Sequence, residues 1–109
     1  METRISSEGP FTIVALAGDV DLQHSPVARE EILRQVRTGR DVLVDLSAVD
    51  YIDSSGVASL VEGFQVAREQ GSRFGLTGVS DTAMQVLHLA RLDQVFEIRD
   101  SVGSWLREA

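Results

Sequence analysis

Two adjacent hydroxyl side chains, Ser54 and Ser55, lie between an aspartate and a glycine in the run Asp53-Ser54-Ser55-Gly56. An apolar stretch precedes the run and apolar residues recur at helical spacing after it, so the run is predicted to begin a helix. Asp and Ser commonly cap helices, because their side chains accept backbone N–H groups that the first turn leaves unpaired. This cap is one interpretation of the run.

A phosphorylation site is the second interpretation of the same four residues. The unpaired N–H groups and the partial positive charge of a helix N-terminus favour a phosphate. A phosphoserine would add about two negative charges to a surface that carries a small hydroxyl, which is enough to end docking by repulsion and desolvation without unfolding. The two interpretations are compatible, because one serine can cap the helix while the other is modified.

Asp19 and Asp21 flank Val20 after the second predicted strand. Paired loop acids can hold Mg²⁺, but no third acid or phosphate ligand is assured nearby in the sequence, so solvated loop acids are the favoured interpretation. A receiver-type phospho-aspartate domain also carries acids at strand ends. It needs a helper lysine, however, and the ten basic residues here are all Arg.

The remaining residues supply no convincing active site. His24 and His88 have neither a G-x-S-x-G serine nor a spaced ligand partner, which argues against a catalytic triad or a zinc site. The lack of Lys removes the P-loop lysine and Schiff-base chemistry, and the lack of Cys removes thiolate ligands and a Cys nucleophile. We therefore expect no cofactor and no metal.

The composition limits the class of protein. With 109 residues the chain fits one domain, spanning 1–109, and its net charge of −7 argues against a nucleic-acid-binding protein. The apolar runs are far shorter than the ~20 residues of a membrane-spanning helix, and no signal-peptide stretch opens the chain. A cytoplasmic protein without membrane insertion is expected.

The elements that must position the serines follow the predicted order ββαβαβαβα. Strands are predicted at residues 3–8, 11–17, 41–46, 73–77 and 95–98, with 47–52 as a short approach to the second helix. Helices are predicted to begin with a cap at Ser25 followed by Pro26, near Ser54, at Ser80 or Asp81, and at Asp100 or Ser101.

Amphipathic helices between strands imply crossover connections, and hence a largely parallel sheet after an opening hairpin. We expect an α/β fold with a curved mixed sheet and helices packed mainly on one face. The strand order is left open.

Three segments together resemble the STAS domain of bacterial anti-sigma factor antagonists. They are the run from Val42 to Gly56, the turn Gly18-Asp19-Val20-Asp21, and the helix exit from Leu87 to Phe96. The resemblance extends over residues 3–107. Asp-Ser-Ser-Gly alone is a weak motif, but its position relative to the other two segments makes the match specific.

The resemblance implies a cytoplasmic, non-enzymatic switch. In the family, the unphosphorylated antagonist docks on an anti-sigma serine kinase and frees the sigma factor, and phosphorylation of the first serine after the aspartate ends that docking. The acceptor would be Ser54, while ATP and Mg²⁺ would belong to partners. Gly56 would permit close approach of a partner backbone. The partner-binding residues implied are Asp19, Asp21, Asp53, Ser54, Ser55 and Gly56.

A second function from another class stays open. Stand-alone STAS proteins also resemble cytosolic accessory subunits of ABC-type phospholipid transporters, in which the domain binds the ATPase subunit. Such proteins need not be switched by phosphorylation. The run Asp53-Ser54-Ser55-Gly56 favours the switch, and neighbouring genes for a serine kinase or a transporter would discriminate between the two.

Overall fold

The computed structural model describes residues 1–108. One five-stranded sheet has its strands in chain order, with β1 antiparallel to β2 and all later pairs parallel. The strands are β1 (Glu2–Glu8), β2 (Phe11–Val20), β3 (Asp41–Ile52), β4 (Phe74–Thr77) and β5 (Glu97–Arg99). The helices are α1 (Ser25–Val36), α2 (Ser54–Gln70), α3 (Asp81–Leu89) and α4 (Val102–Leu106). The predicted order ββαβαβαβα and the mixed α/β fold are confirmed.

The third strand is longer than predicted. Residues 47–52, expected to be an approach to the helix, continue β3 and pair with β2. The register slips on the way, since Ala15 pairs with Asp45 but Ala17 pairs with Ala48, so β3 carries one extra residue there. Such a bulge breaks the alternation of buried and exposed side chains, which is why the sequence pattern did not indicate a strand.

The last strand is displaced towards the C-terminus relative to the prediction. Residues 95–98 were expected, whereas β5 spans Glu97–Arg99 and Leu92–Gln94 form a 3₁₀ turn. Arg91, with φ of 60°, lies between α3 and this turn. Its left-handed conformation redirects the chain, and an arginine in the sequence gives no indication of a positive φ.

The main core lies on one face of the sheet, between β2–β4 and the helices α1, α2 and α3. Its fully buried members include Val14, Ile32, Leu60, Leu76 and Leu87. On the opposite face, α4 places Trp105 over Phe11, Ile13 and Leu43. The arrangement of helices mainly on one face is therefore confirmed, with the short α4 as the exception.

β2 and β3 end side by side, because Val20 is the register partner of Ile52. The loop from β2 to α1 and the start of α2 therefore meet at the carboxyl edge of the sheet. In parallel sheets, loops at this edge commonly carry the functional residues.

Candidate functional site

Asp53 lies at this carboxyl edge and joins the two loops. Its backbone N–H donates to the carbonyl oxygen of Val20 at 3.3 Å. The start of α2 is therefore attached to the end of β2. The sheet brings together residues that are more than 30 positions apart in the chain.

Asp53 is the N-cap of α2, in an extended conformation. Its Oδ1 accepts the backbone N–H of Ser55 at 2.9 Å and that of Gly56 at 3.2 Å, and also the hydroxyl of Ser55 at 2.5 Å. The Ser55 hydroxyl is the main cause of a pKa of Asp53 below its usual range, because each of these donors stabilises the carboxylate. The predicted cap is confirmed, and it is the aspartate that provides it.

The two serines differ in their surroundings. Ser55 is half-buried and its hydroxyl is held by Asp53, whereas Ser54 is exposed and, within residues 1–108, its side chain makes no hydrogen bond. Of the two residues, Ser54 is therefore the more accessible to solvent.

Gly56 is buried against its own chain. A Cβ at this position would lie 2.6 Å from the carbonyl oxygen of Val20 and 2.7 Å from Cγ1 of Ile52, closer than real Cβ contacts allow. The expectation that Gly56 makes room for a partner backbone is therefore wrong. The space is occupied by β2 and β3, and the glycine allows α2 to start directly on the sheet.

Asp21 and Asp19 differ in their surroundings. Partial desolvation raises the pKa of Asp21, but hydrogen bonds from His24 outweigh it and bring the pKa below its usual range. The bonds are 3.0 Å from the His24 backbone N–H and 2.7 Å from its Nδ1. Asp19 is exposed at the end of β2, opposite Tyr51.

The first helix begins differently from the prediction. Ser25 was expected to be its cap, but the N-cap position is His24, which makes no side-chain cap bond, and Ser25 is already helical and buried. The N–H of Ser25 is satisfied by the backbone carbonyl of Asp21, at 2.7 Å, and not by a capping side chain. A serine before proline typically indicates a helix cap. Here the turn that begins at Asp21, four residues earlier, competes with capping by Ser25.

Ser59 is a positioning residue that the sequence did not indicate. It is buried, and its hydroxyl lies 3.1 Å from the carbonyl oxygen of Ser55 and 3.3 Å from that of Ser25. It therefore connects the first turns of α2 and α1. A paired Arg29 and Glu62, at 2.5 and 2.6 Å, join the same helices further along. The only signal in the sequence is the i, i+4 spacing of Ser55 and Ser59 on one helix face.

Ser54 offers an exposed hydroxyl at the start of α2. Within residues 1–108, no group of three His, Cys, Asp or Glu side chains is placed to hold a metal ion. The carboxylate nearest to Ser54 in sequence, Asp53, is already engaged by three donors on α2. No helix in the described part of the chain is both long and apolar enough to cross a membrane.

Comparisons with known proteins agree with this picture. The model of the STAS domain family matches residues 3–105. An anti-sigma-B factor antagonist of Listeria monocytogenes is 30% identical over 91 residues, which cover 83% of this chain and 80% of that protein.

Solved structures share the fold. An anti-sigma factor antagonist from Mycobacterium paratuberculosis has a TM-score of 0.89 at 21% identity, over 98% of this chain and 92% of that one. The phosphorylated form of SpoIIAA, a Bacillus cell fate determinant, has a TM-score of 0.75 at 16% identity, over 99% and 100% of the two chains.

Proposed function

The chain belongs to the STAS domain family, and from that membership we propose that it is an anti-sigma factor antagonist switched off by phosphorylation of Ser54. In its unphosphorylated form the protein docks on an anti-sigma factor that is itself a serine kinase, and so frees the sigma factor. It acts in the cytoplasm by binding and carries out no reaction of its own.

The contrast between the two serine hydroxyls carries the proposal. Ser54 is exposed and has no hydrogen-bond partner in residues 1–108, whereas the Ser55 hydroxyl donates to Asp53 at 2.5 Å. Phosphorylating Ser55 would remove that donor and place a phosphate against a carboxylate. Phosphorylating Ser54 leaves the cap of α2 intact, which is what a reversible switch needs.

The chemical step belongs to the kinase. The Oγ of Ser54 would attack the γ-phosphorus of ATP, forming an Oγ–P bond while the bond to the β-phosphate oxygen breaks and ADP leaves. The hydroxyl proton passes to a base of the kinase, since Asp53 is engaged on α2. The similarity to the anti-sigma-B factor antagonist of Listeria monocytogenes, and the shared fold with SpoIIAA, which has a phosphorylated form, support the proposal.

The docking surface extends from Ser54 to the end of β2. Asp19 is exposed there and remains a proposed contact, while Asp21 supports the turn that follows β2. Two added negative charges on Ser54 would have to be desolvated at the docked surface, which opposes docking. The transporter-subunit alternative has no specific observation in its favour.

The experiment is phosphate mapping on matched serine variants. The purified protein is incubated with ATP, Mg²⁺ and its serine kinase, and phosphopeptides are sequenced by mass spectrometry. We expect label on Ser54, none on Ser54→Ala, and undiminished label on Ser55→Ala. Label that persists in Ser54→Ala and disappears in Ser55→Ala would contradict the assignment.

A further inference from the structure

The outer face of the sheet, opposite α1, α2 and α3, carries an open trough. Near the start of β2 and β3 this face is covered by Trp105, which packs on Phe11, Ile13 and Leu43. Further along the same strands, a trough of about 560 Å³ runs between β1 and β3. Its lining includes Glu2, Arg4, Ala15, Ala17, Asp45 and Ser47. Cavities of this volume accommodate small ligands.

Strand pairing places a cation and an anion on the two sides of the trough. Arg4 of β1 is the register partner of Ala15 of β2, and Ala15 is the partner of Asp45 of β3. Ile13 and Leu43 face outward, so Ala15 and Asp45, two residues further along, face outward too. Adjacent strands are about 4.8 Å apart, so about 10 Å separates the Cα atoms of Arg4 and Asp45, with the small Ala15 between them.

Neither of these charges is neutralised by the described part of the chain. Within residues 1–108, Arg4 and Asp45 make no ion pair. Oδ1 of Asp45 accepts the backbone N–H of Ser47 at 2.9 Å, which orients the carboxylate. Asp45 is half-buried, whereas Glu2, the other acid of the trough, is exposed. Because solvent screens a half-buried charge less, Asp45 attracts a cation more strongly than Glu2 does.

The row of residues across the sheet continues from Asp45 to Thr77 and Arg99. Thr77 is buried, and in the described chain its hydroxyl has no hydrogen-bond partner. Arg99 is engaged by Glu97 and Glu108. Asp45 therefore has an unsatisfied hydroxyl beside it and no free cation on that side.

We propose that the trough binds a short peptide through its free termini, with the peptide carboxylate on Arg4 and its ammonium on Asp45. An extended tripeptide spans about 10 Å, which matches the separation of the two residues. Ala15 and Ala17 leave room for a peptide backbone to lie close to the sheet. The charges select this ligand, because a polyanion would be repelled by the two acids of the trough and a simple cation by Arg4.

Titration with trialanine, which has both terminal charges and no charged side chain, tests the proposal. N-acetyl-trialanine lacks the ammonium, and trialanine amide lacks the carboxylate. Amide chemical shifts of isotope-labelled protein locate the bound peptide and give its Kd. We expect trialanine to shift the amides of Arg4, Ala15 and Asp45, and each blocked peptide to bind about tenfold or more weakly.

Matched variants assign each peptide terminus to its residue. Arg4→Gln and Asp45→Asn should each weaken trialanine by about tenfold or more, while the exposed controls Arg37→Gln and Asp50→Asn bind as the wild type does. In Arg4→Gln, amidation of the peptide should cost no further affinity. In Asp45→Asn, acetylation should cost none, because each variant already lacks the charge that the blocked terminus would meet.

Shifts that are absent or lie elsewhere, or blocked peptides that bind as tightly as trialanine, would overturn the proposal. A further contrary result is an ion pair between Arg4 and Asp45 across Ala15. It would appear as non-additive losses of stability in Arg4→Gln, Asp45→Asn and the double variant, without trialanine binding. Ser54→Ala should bind trialanine as the wild type does, so failure here leaves the proposed phosphorylation switch untouched.

Discussion

The carboxylate of Asp53 accepts both the backbone N–H and the hydroxyl of Ser55, at 2.9 and 2.5 Å. The Asp53 side chain therefore caps α2 and also accepts the hydroxyl of Ser55, the second serine of the pair. Ser54, next to it, remains exposed. The cap and the proposed switch are separate functions of neighbouring residues.

Asp53→Ala should lower the Tm by several degrees, because the first-turn N–H groups of Ser55 and Gly56 lose their acceptor. Asp50→Ala is the control, since Asp50 is an exposed acid on the adjoining strand and caps no helix. Thermal unfolding followed by circular dichroism measures both. Equal Tm values for the two variants would contradict the capping role of Asp53.

The stabilisation by Asp53 should depend on pH. Its pKa is lower in the folded protein than in the unfolded chain, chiefly because of the Ser55 hydroxyl. Its contribution is therefore fully present above the ordinary aspartate pKa and is lost as the pH falls through the lower, folded value. The difference in Tm between the wild type and Asp53→Ala should be constant near neutral pH and shrink in acid. A difference that grows in acid would show the opposite sign.

Gly56→Ala should destabilise the protein by about 1–3 kcal/mol, because its Cβ would collide with the carbonyl oxygen of Val20. Gly103→Ala is the matched control, since a Cβ there would meet its nearest neighbour, Nη1 of Arg107, at an ordinary 3.6 Å. Urea unfolding gives the free energy of unfolding of each. If Gly56→Ala is as stable as Gly103→Ala, α2 does not need a glycine at this contact.

Asp19→Ala and Asp21→Ala should have different effects. Asp21 accepts two hydrogen bonds within its turn, so its loss should lower the Tm and, through the displaced turn, the affinity for the kinase. Asp19 is exposed at the strand end, so its loss should weaken binding with the Tm unchanged. Calorimetric binding and thermal unfolding on both variants check this. A stable Asp21→Ala or a destabilised Asp19→Ala would reverse the two roles.

The helix starts that depend on local side chains were predictable from the sequence. Asp53, Ser80 and Ser101 each accept a backbone N–H of the helix that follows, as their residue types indicate. The strand order and the extended β3 were not predictable. They depend on pairing between distant residues, and the bulge opposite Ala15 and Ala17 hides the strand pattern.

The position of the candidate site could be predicted from the sequence, but the roles of its individual residues could not. The motif located Asp53, Ser54 and Ser55 together, yet only the structure shows that one hydroxyl is held while the other is exposed. The role of Gly56 was misjudged for the same reason, since a glycine in a sequence does not reveal whether its space is filled by a partner or by Val20.

The most direct test of the switch compares Ser54→Asp with Ser54→Asn, which differ in charge but hardly in shape. Kinase affinity is measured by calorimetry on both variants, with circular dichroism to verify the fold. A charge-controlled switch predicts that Ser54→Asp binds about tenfold or more weakly than Ser54→Asn, that Ser54→Asn stays close to the wild type, and that both are folded. Equal affinities for the two variants, or unfolding of Ser54→Asp, would contradict it.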